Sequence, residues 1–152
     1  MFIEGQKHYT TSIVLLSKEQ VPRVLLVHHQ KLGVWMPPGG HEEALENPLE
    51  TGVREVKEET GIDISPYLPQ PRRLDERAIA IPLPQYFFEE LIDAHGDQPS
   101  HAHLDFIYVV KIPYQEPLLE ATEHHAIRWF AKQELDTISL FQNVRAILLE
   151  IL

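Results

Sequence analysis

Between Gly40 and Ile62 the chain reads GHEEALENPLETGVREVKEETGI, a glycine-bounded segment whose local chemistry settles one helix and both of its sides. Asn47 suits the N-cap, Pro48 the first helical position, and Glu50 stands where a capping box needs its carboxylate. Gly61 suits the left-handed residue beyond the last turn, so the spacing predicts a helix of three to four turns starting near Pro48. At 100° per residue, Glu55, Glu58 and Glu59 fall within a wedge of about 100°, while Leu49, Val53, Val56 and Thr60 take another side. One side packs and the other collects charge. Like charges three and four positions apart destabilise a helix by a few tenths of a kcal/mol per pair, a conflict that a hard divalent cation removes. Mg²⁺ binds through one or two carboxylates and leaves positions for water and phosphate, with Mn²⁺ as its substitute. Arg54, one turn before Glu58, is expected to hold that carboxylate. Gly52, beside the acidic wedge, is expected to leave room for an incoming ligand.

The rest of the chain alternates short elements without repeats. Tyr9–Leu16 and Arg23–His29 read as neighbouring strands joined by a turn at Lys18–Pro22, and Trp35–Gly40 reads as a loop entering the acidic helix. Arg72–Ile81 and His101–Ile112 read as long strands. Leu140, Val144, Ile147, Leu148 and Ile151 mark an amphipathic helix. Mixed strands flanked by helices predict an α/β/α sandwich built on a mixed sheet, and 152 residues predict a single domain over 1–152. Pro82–Ser100 interrupts the pattern with three prolines and the aromatic run Tyr86, Phe87, Phe88. That segment reads as a substrate-facing insertion or as plain packing, and packing against the core or a homodimer contact is the commoner use of such a run.

Charge and composition narrow the function. A net charge of −10 disfavours binding a nucleic-acid polymer, which requires a basic surface to displace counterions. The chain has no cysteine, which removes disulfides, thiolate zinc sites and cysteine nucleophiles and fits a reducing cytoplasm. No stretch approaches the ~18 apolar residues of a membrane helix, and the N-terminus lacks the pattern of a secretion signal, so a cytoplasmic protein without membrane association is expected.

Gly40, five residues, Glu46, seven residues, then Arg54, Glu55, Val56, Lys57, Glu58, Glu59, Thr60, Gly61 and Ile62 reproduce the full Nudix box without departure. The chain therefore resembles a Nudix hydrolase. The flanking RVLLVHH, LGVWMPPGG and AIRWFAKQEL are similar to that family's entry strand, diglycine turn and late strand. The resemblance implies Mg²⁺-dependent hydrolysis of a small nucleotide, either a nucleoside diphosphate linked to a second group or a nucleoside triphosphate. It implies Glu55, Glu58 and Glu59 as metal ligands, the Gly39 carbonyl as a further ligand, Arg54 as their organiser and Glu46 as a supporting acid. The general base is a box glutamate or a distant acid, for which Glu120 and Glu123 are the candidates. A non-catalytic nucleotide-metabolite sensor is the alternative.

Nine histidines raise a second metal chemistry. In HAHLD, alternation puts His101, His103 and Asp105 on one strand face, a donor set that suits zinc or iron. Same-face neighbours on a flat strand lie nearly 7 Å apart, so these three do not converge on an ion unaided. Phosphate or ribose contact, or simple exposure, is the expectation for them. His41, following the diglycine, is expected to contact phosphate, and Tyr86 is a candidate for the nucleobase. The box carries phosphate chemistry and does not specify base or sugar.

Overall fold

The computed structural model describes residues 3–119 and 124–152. Strand β1 (Lys7–Ser17) organises the molecule because both of its faces are apolar. Ile13 and Leu15 pack with Leu49 and Val56 of helix α1 (Pro48–Thr60), whereas Val14 and Leu16 pack with Ile147 and Leu148 of helix α2 (Gln142–Ile151). Burying each such side chain stabilises by about 1.5–3 kcal/mol, so a strand with two apolar faces requires a covering layer on both. The result is the expected α/β/α sandwich.

Five strands run in the order β3 (Val34–Met36), β2 (Val24–His29), β1, β8 (His101–Ile112) and β7 (Tyr86–Ile92). Strand β9 (His124–Phe130) adds to β2, and β4 (Gly39–His41) adds to β1. β1 and β8 are parallel along their whole shared length and the other pairings are antiparallel, so the sheet is mixed. The expected loop Trp35–Gly40 instead contributes to two short strands. The reason is tertiary: β2 pairs only with Leu15 and Leu16 of β1, which leaves the edge at Thr10–Ser12 for Gly39–His41.

The expected long strand Arg72–Ile81 is not formed. Arg72–Arg73 (β5) and Ile79–Ala80 (β6) pair only with each other. Asp75 breaks the run, its Oδ1 accepting from the amides of Arg77 at 2.7 Å and Ala78 at 2.8 Å, a side-chain turn that competes with a strand ladder. Within Pro82–Ser100, β7 forms the sheet edge beside β8. Tyr86 and Phe88 turn toward the α2 core, and Phe87 points to the other face. Among the described residues no helix is long and apolar enough to cross a membrane.

Candidate active site

The acidic helix is capped as its sequence predicts. Asn47 accepts from the Glu50 amide at 3.1 Å while Glu50 accepts from the Asn47 amide at 2.8 Å, and Gly61 takes φ 71° beyond the last turn. Each cap is worth about 1 kcal/mol and fixes where the helix starts, hence which residues point where. Leu49, Val56 and Thr60 are buried against the sheet. Gly52 corrects the expectation set out for it. It lies in the helix–sheet contact, where a Cβ would stand 2.5 Å from Ile13 Cδ1 and 3.0 Å from Thr11 Cγ2, so its bareness serves close packing and not ligand entry. The helix pattern fixes the angles between residues but does not say how far the sheet reaches round.

Arg54 has more partners than the expected Glu58. Its Nε donates to Glu46 Oε1 at 2.7 Å and one terminal nitrogen to Glu46 Oε2 at 3.0 Å, a two-pronged grip. That same nitrogen reaches the His41 carbonyl at 3.0 Å, while the other donates to Glu55 at 2.8 Å and Glu58 at 3.3 Å. The guanidinium holds Glu46 down to about 2 and is itself pushed upward in return. Glu55 moves the other way: burial raises its pKa, with Glu59 and Glu58 adding repulsion that Arg54 only partly offsets.

Glu55, Glu58 and Glu59 leave one side of α1 toward the diglycine strand, but their tips are spread. A Cβ on Gly40 would meet the Glu55 carboxylate, so any other residue there would push that carboxylate away from its bond to Arg54. Glu59 is buried, accepting from the Gly39 amide at 3.3 Å and lying 3.2 Å from Nε2 of His124. Glu58 is exposed. The donor chemistry fits a hard cation: three carboxylates in one patch, mutual repulsion within it, and a backbone held against them by a bare glycine. His124 of β9 sits beside a box carboxylate. β9 lies beside β2 in the sheet, and only that pairing brings residue 124 near the helix.

The remaining candidates lie elsewhere. Alternation along β8 puts Phe106, Tyr108 and Val110 on the α1 side, which assigns His101, His103 and Asp105 to the α2 side. Simple exposure is also wrong for them, since His101 and Asp105 are buried. Asp105 accepts from Thr10 Oγ1 and Ser12 Oγ, both at 2.8 Å, and burial raises its pKa. Glu90, on neighbouring β7, is pushed up to about 7 by burial and by the Asp105 charge. His103 is lowered to about 4, chiefly by burial and then by His41, His101 and His8, and His8 and His41 are lowered for the same kinds of reason. Tyr86 packs into the α2-side core, away from the box. Glu120 and Glu123 lie outside the described residues.

An aromatic row on the α1 side of the sheet was not expected. Phe87 stacks on Phe106 at 4.6 Å and 16°, and Tyr9 on the same Phe106 at 6.0 Å and 24°. Tyr9 and Phe87 remain about half exposed, at 52% and 55%. The signal was present in the Tyr86, Phe87, Phe88 run, where period-two alternation sends Phe87 opposite to its neighbours once the run is known to be a strand.

An acidic helix face, clamped by one arginine beneath a diglycine strand in an α/β/α sandwich, is a site for phosphate chemistry. The NUDIX domain family model matches residues 6–150, and the chain belongs to that family. It is 30% identical over 124 residues to the asymmetrical bis(5′-nucleosyl)-tetraphosphatase of Mus musculus, covering 82% of this chain and 70% of the relative. A NUDIX-family hydrolase from Clostridium perfringens superimposes with TM-score 0.71 at 25% identity over 92% of both chains. The Ap4A hydrolase of C. elegans superimposes with TM-score 0.63 at 17% identity, over 95% of this chain and 94% of that one, and shares the fold. The chain is a Nudix pyrophosphohydrolase.

Proposed function

We propose that this chain is a Mg²⁺-dependent hydrolase that cleaves a phosphoanhydride bond in a small nucleotide, with dinucleoside polyphosphates as the leading substrate class. The observation that carries the reading is the gathering of Glu55, Glu58 and Glu59 on one helix side under Gly39–Gly40, with Arg54 tying that side to Glu46 and to the His41 carbonyl. The substrate class is supported by the tetraphosphatase relatives, which match across most of this chain.

Glu55, Glu58 and Glu59, with the Gly39 carbonyl, would hold the cation, which when bound supplies charge neutralisation on the phosphate chain and polarises water. Arg54 keeps the carboxylates oriented at the cost of one partly buried guanidinium, already compensated by four acceptors. The new bond runs from a water oxygen to phosphorus, and the phosphorus–bridging-oxygen bond breaks, leaving a nucleoside monophosphate and the phosphorylated remainder. The proton of that water passes to a carboxylate; exposed Glu58 and the distant Glu123 are the two candidates. The exposed faces of Phe87 and Tyr9, on the same side of the sheet as α1, would stack a nucleobase. Tyr86 is not part of this reading.

The test is a Mg²⁺-supplemented panel of dinucleoside polyphosphates, nucleoside diphosphate conjugates and nucleoside triphosphates, with products identified. Monophosphate plus triphosphate from a dinucleoside tetraphosphate is the expected outcome. Faster release of pyrophosphate from nucleoside triphosphates would move the assignment to that class, and tight nucleotide binding without turnover would leave a sensor.

A further inference from the structure

Four imidazoles from three strands meet at one end of the sheet, on the side away from the acidic helix. His8 of β1 stands directly opposite His103 of β8 in the parallel register, and Thr10, two residues on, pairs with His41 of β4. Residues paired in this way or two apart share a face, so the fold stacks His8, His41, His101 and His103 together. The ring centroids of His8 lie 5.5 Å from His41 and 5.0 Å from His101, and those of His103 lie 4.9 Å from His41 and 5.1 Å from His101. Among the described residues, His8, His41 and His103 form the one set of three acidic or imidazole side chains whose ligand atoms all come within 4.8 Å of one another.

The spacing is that of a transition-metal site a short rotation from closure. A tetrahedral zinc with Zn–N bonds of ~2.0–2.1 Å sets its nitrogens about 3.4 Å apart. His101 Nε2 and His103 Nε2 stand 3.2 Å apart, within that spacing. The other ring nitrogen of His101, Nδ1, is 2.9 Å from the Pro99 carbonyl. A carbonyl accepts only, so Nδ1 carries the hydrogen and Nε2 presents its lone pair toward His103, the arrangement by which proteins orient a metal-ligating histidine. His41 is exposed, and a rotation of its side chain would supply the remaining contraction. The HAHLD segment alone lacked this convergence; the third and fourth donors come from β1 and β4.

We infer that His8, His41, His101 and His103 form a binding site for a divalent transition cation of the zinc class, separate from the carboxylate patch on α1. An all-imidazole set suits zinc, copper or nickel and is a poor home for Mg²⁺, whereas the carboxylate patch has the opposite preference. The two sites are joined by one residue: the His41 imidazole faces the cluster while its carbonyl accepts from Arg54 at 3.0 Å. An ion on the histidines therefore restrains the peptide that anchors the arginine of the box.

The experiment is equilibrium dialysis of the untagged protein against Zn²⁺ in millimolar Mg²⁺, with Co²⁺ substitution read by its visible absorption. One Zn²⁺ per chain and an intense tetrahedral Co²⁺ band are expected. His41→Ala, His101→Ala and His103→Ala should each weaken Zn²⁺ by more than the 10- to 100-fold typical of a supporting group. Glu58→Gln should bind Zn²⁺ as the parent does. Should His103→Ala fail to fold, the exposed His41→Ala gives the same reading. The site is overturned by no Zn²⁺ retained in Mg²⁺, by undiminished binding in His41→Ala, or by loss of binding in Glu58→Gln, which would put the ion on the carboxylates.

Discussion

The two ends of interest in this molecule sit on opposite faces of one sheet and are built from opposite chemistry. On the α1 side Arg54 is lodged among crowded carboxylates and holds Glu46 down to about 2, while burial raises Glu55. On the α2 side imidazoles crowd together, and burial followed by mutual repulsion lowers His8, His41 and His103, the last to about 4. Burial opposes charge on both faces. What differs is the presence of a built-in counter-charge. The first face is prepared for a hard cation with phosphate in attendance, and the second for nitrogen donors acting without charge. Segregating the two donor sets by strand alternation lets adjacent peptides serve both without sharing an ion.

The comparison breaks most sharply at the carboxylates. Glu58→Gln and Glu55→Gln should each lower kcat at saturating Mg²⁺ by about three orders of magnitude, since loss of a ligand removes several kcal/mol of transition-state charge stabilisation. Steady-state turnover with circular dichroism as a folding control measures it, and near-parental kcat in both variants would sink the assignment of the acidic face. Arg54→Ala comes next. Removing one partner of a fully buried pair costs about 3–5 kcal/mol, and the partial exposure of this one reduces that to roughly 2–3 kcal/mol in urea unfolding, with turnover lost as well. Arg54→Lys should restore part of the stability but not the two-pronged hold on Glu46.

Phe87→Ala tests whether the aromatic row belongs with the carboxylates. A stacked base is worth about 1–3 kcal/mol, so KM for a nucleotide substrate should rise about 5- to 150-fold with kcat little changed. An unchanged KM would make the row structural. The smallest effect concerns Glu90, beside the histidine end. Its pKa is raised to about 7 in the fold from an ordinary value near 4.5, so the native state binds the extra proton between those values. Stability therefore falls as pH rises through that window and the loss is complete above pH ~7. Glu90→Gln keeps an acceptor for Asn143, which donates to Glu90 at 2.6 Å, and should flatten the dependence while adding about 1 kcal/mol at pH 8. Denaturant midpoints across pH 5–8 measure this, and parallel curves for parent and variant would refute it.

The helix of the box was legible residue by residue because its signals are local: a cap, a proline, a capping glutamate and a terminal glycine all act within a few positions. The strands at Tyr9–Leu16 and His101–Ile112 were legible for the same reason, their β-branched and aromatic residues standing close together in the chain. Arg72–Ile81 misled because β-propensity says nothing of a side-chain turn at Asp75. Gly52 misled because a helix pattern gives angles but not the direction of the sheet. Tyr86 faces the α2-side core because the facing of an aromatic run depends on which strand it pairs with.

From its residues alone this chain specified an acidic helix, the family it belongs to, and the oxygen chemistry of its box, all of which depend on spacings shorter than twenty-five residues. Tertiary pairing decided the rest. It carried His124 to Glu59, set Phe87 on Phe106, and brought His8, His41, His101 and His103 into one nest from positions up to 95 residues apart. Such contacts depend on strand register and on which layer covers each face, and these are set by the packing of the whole core.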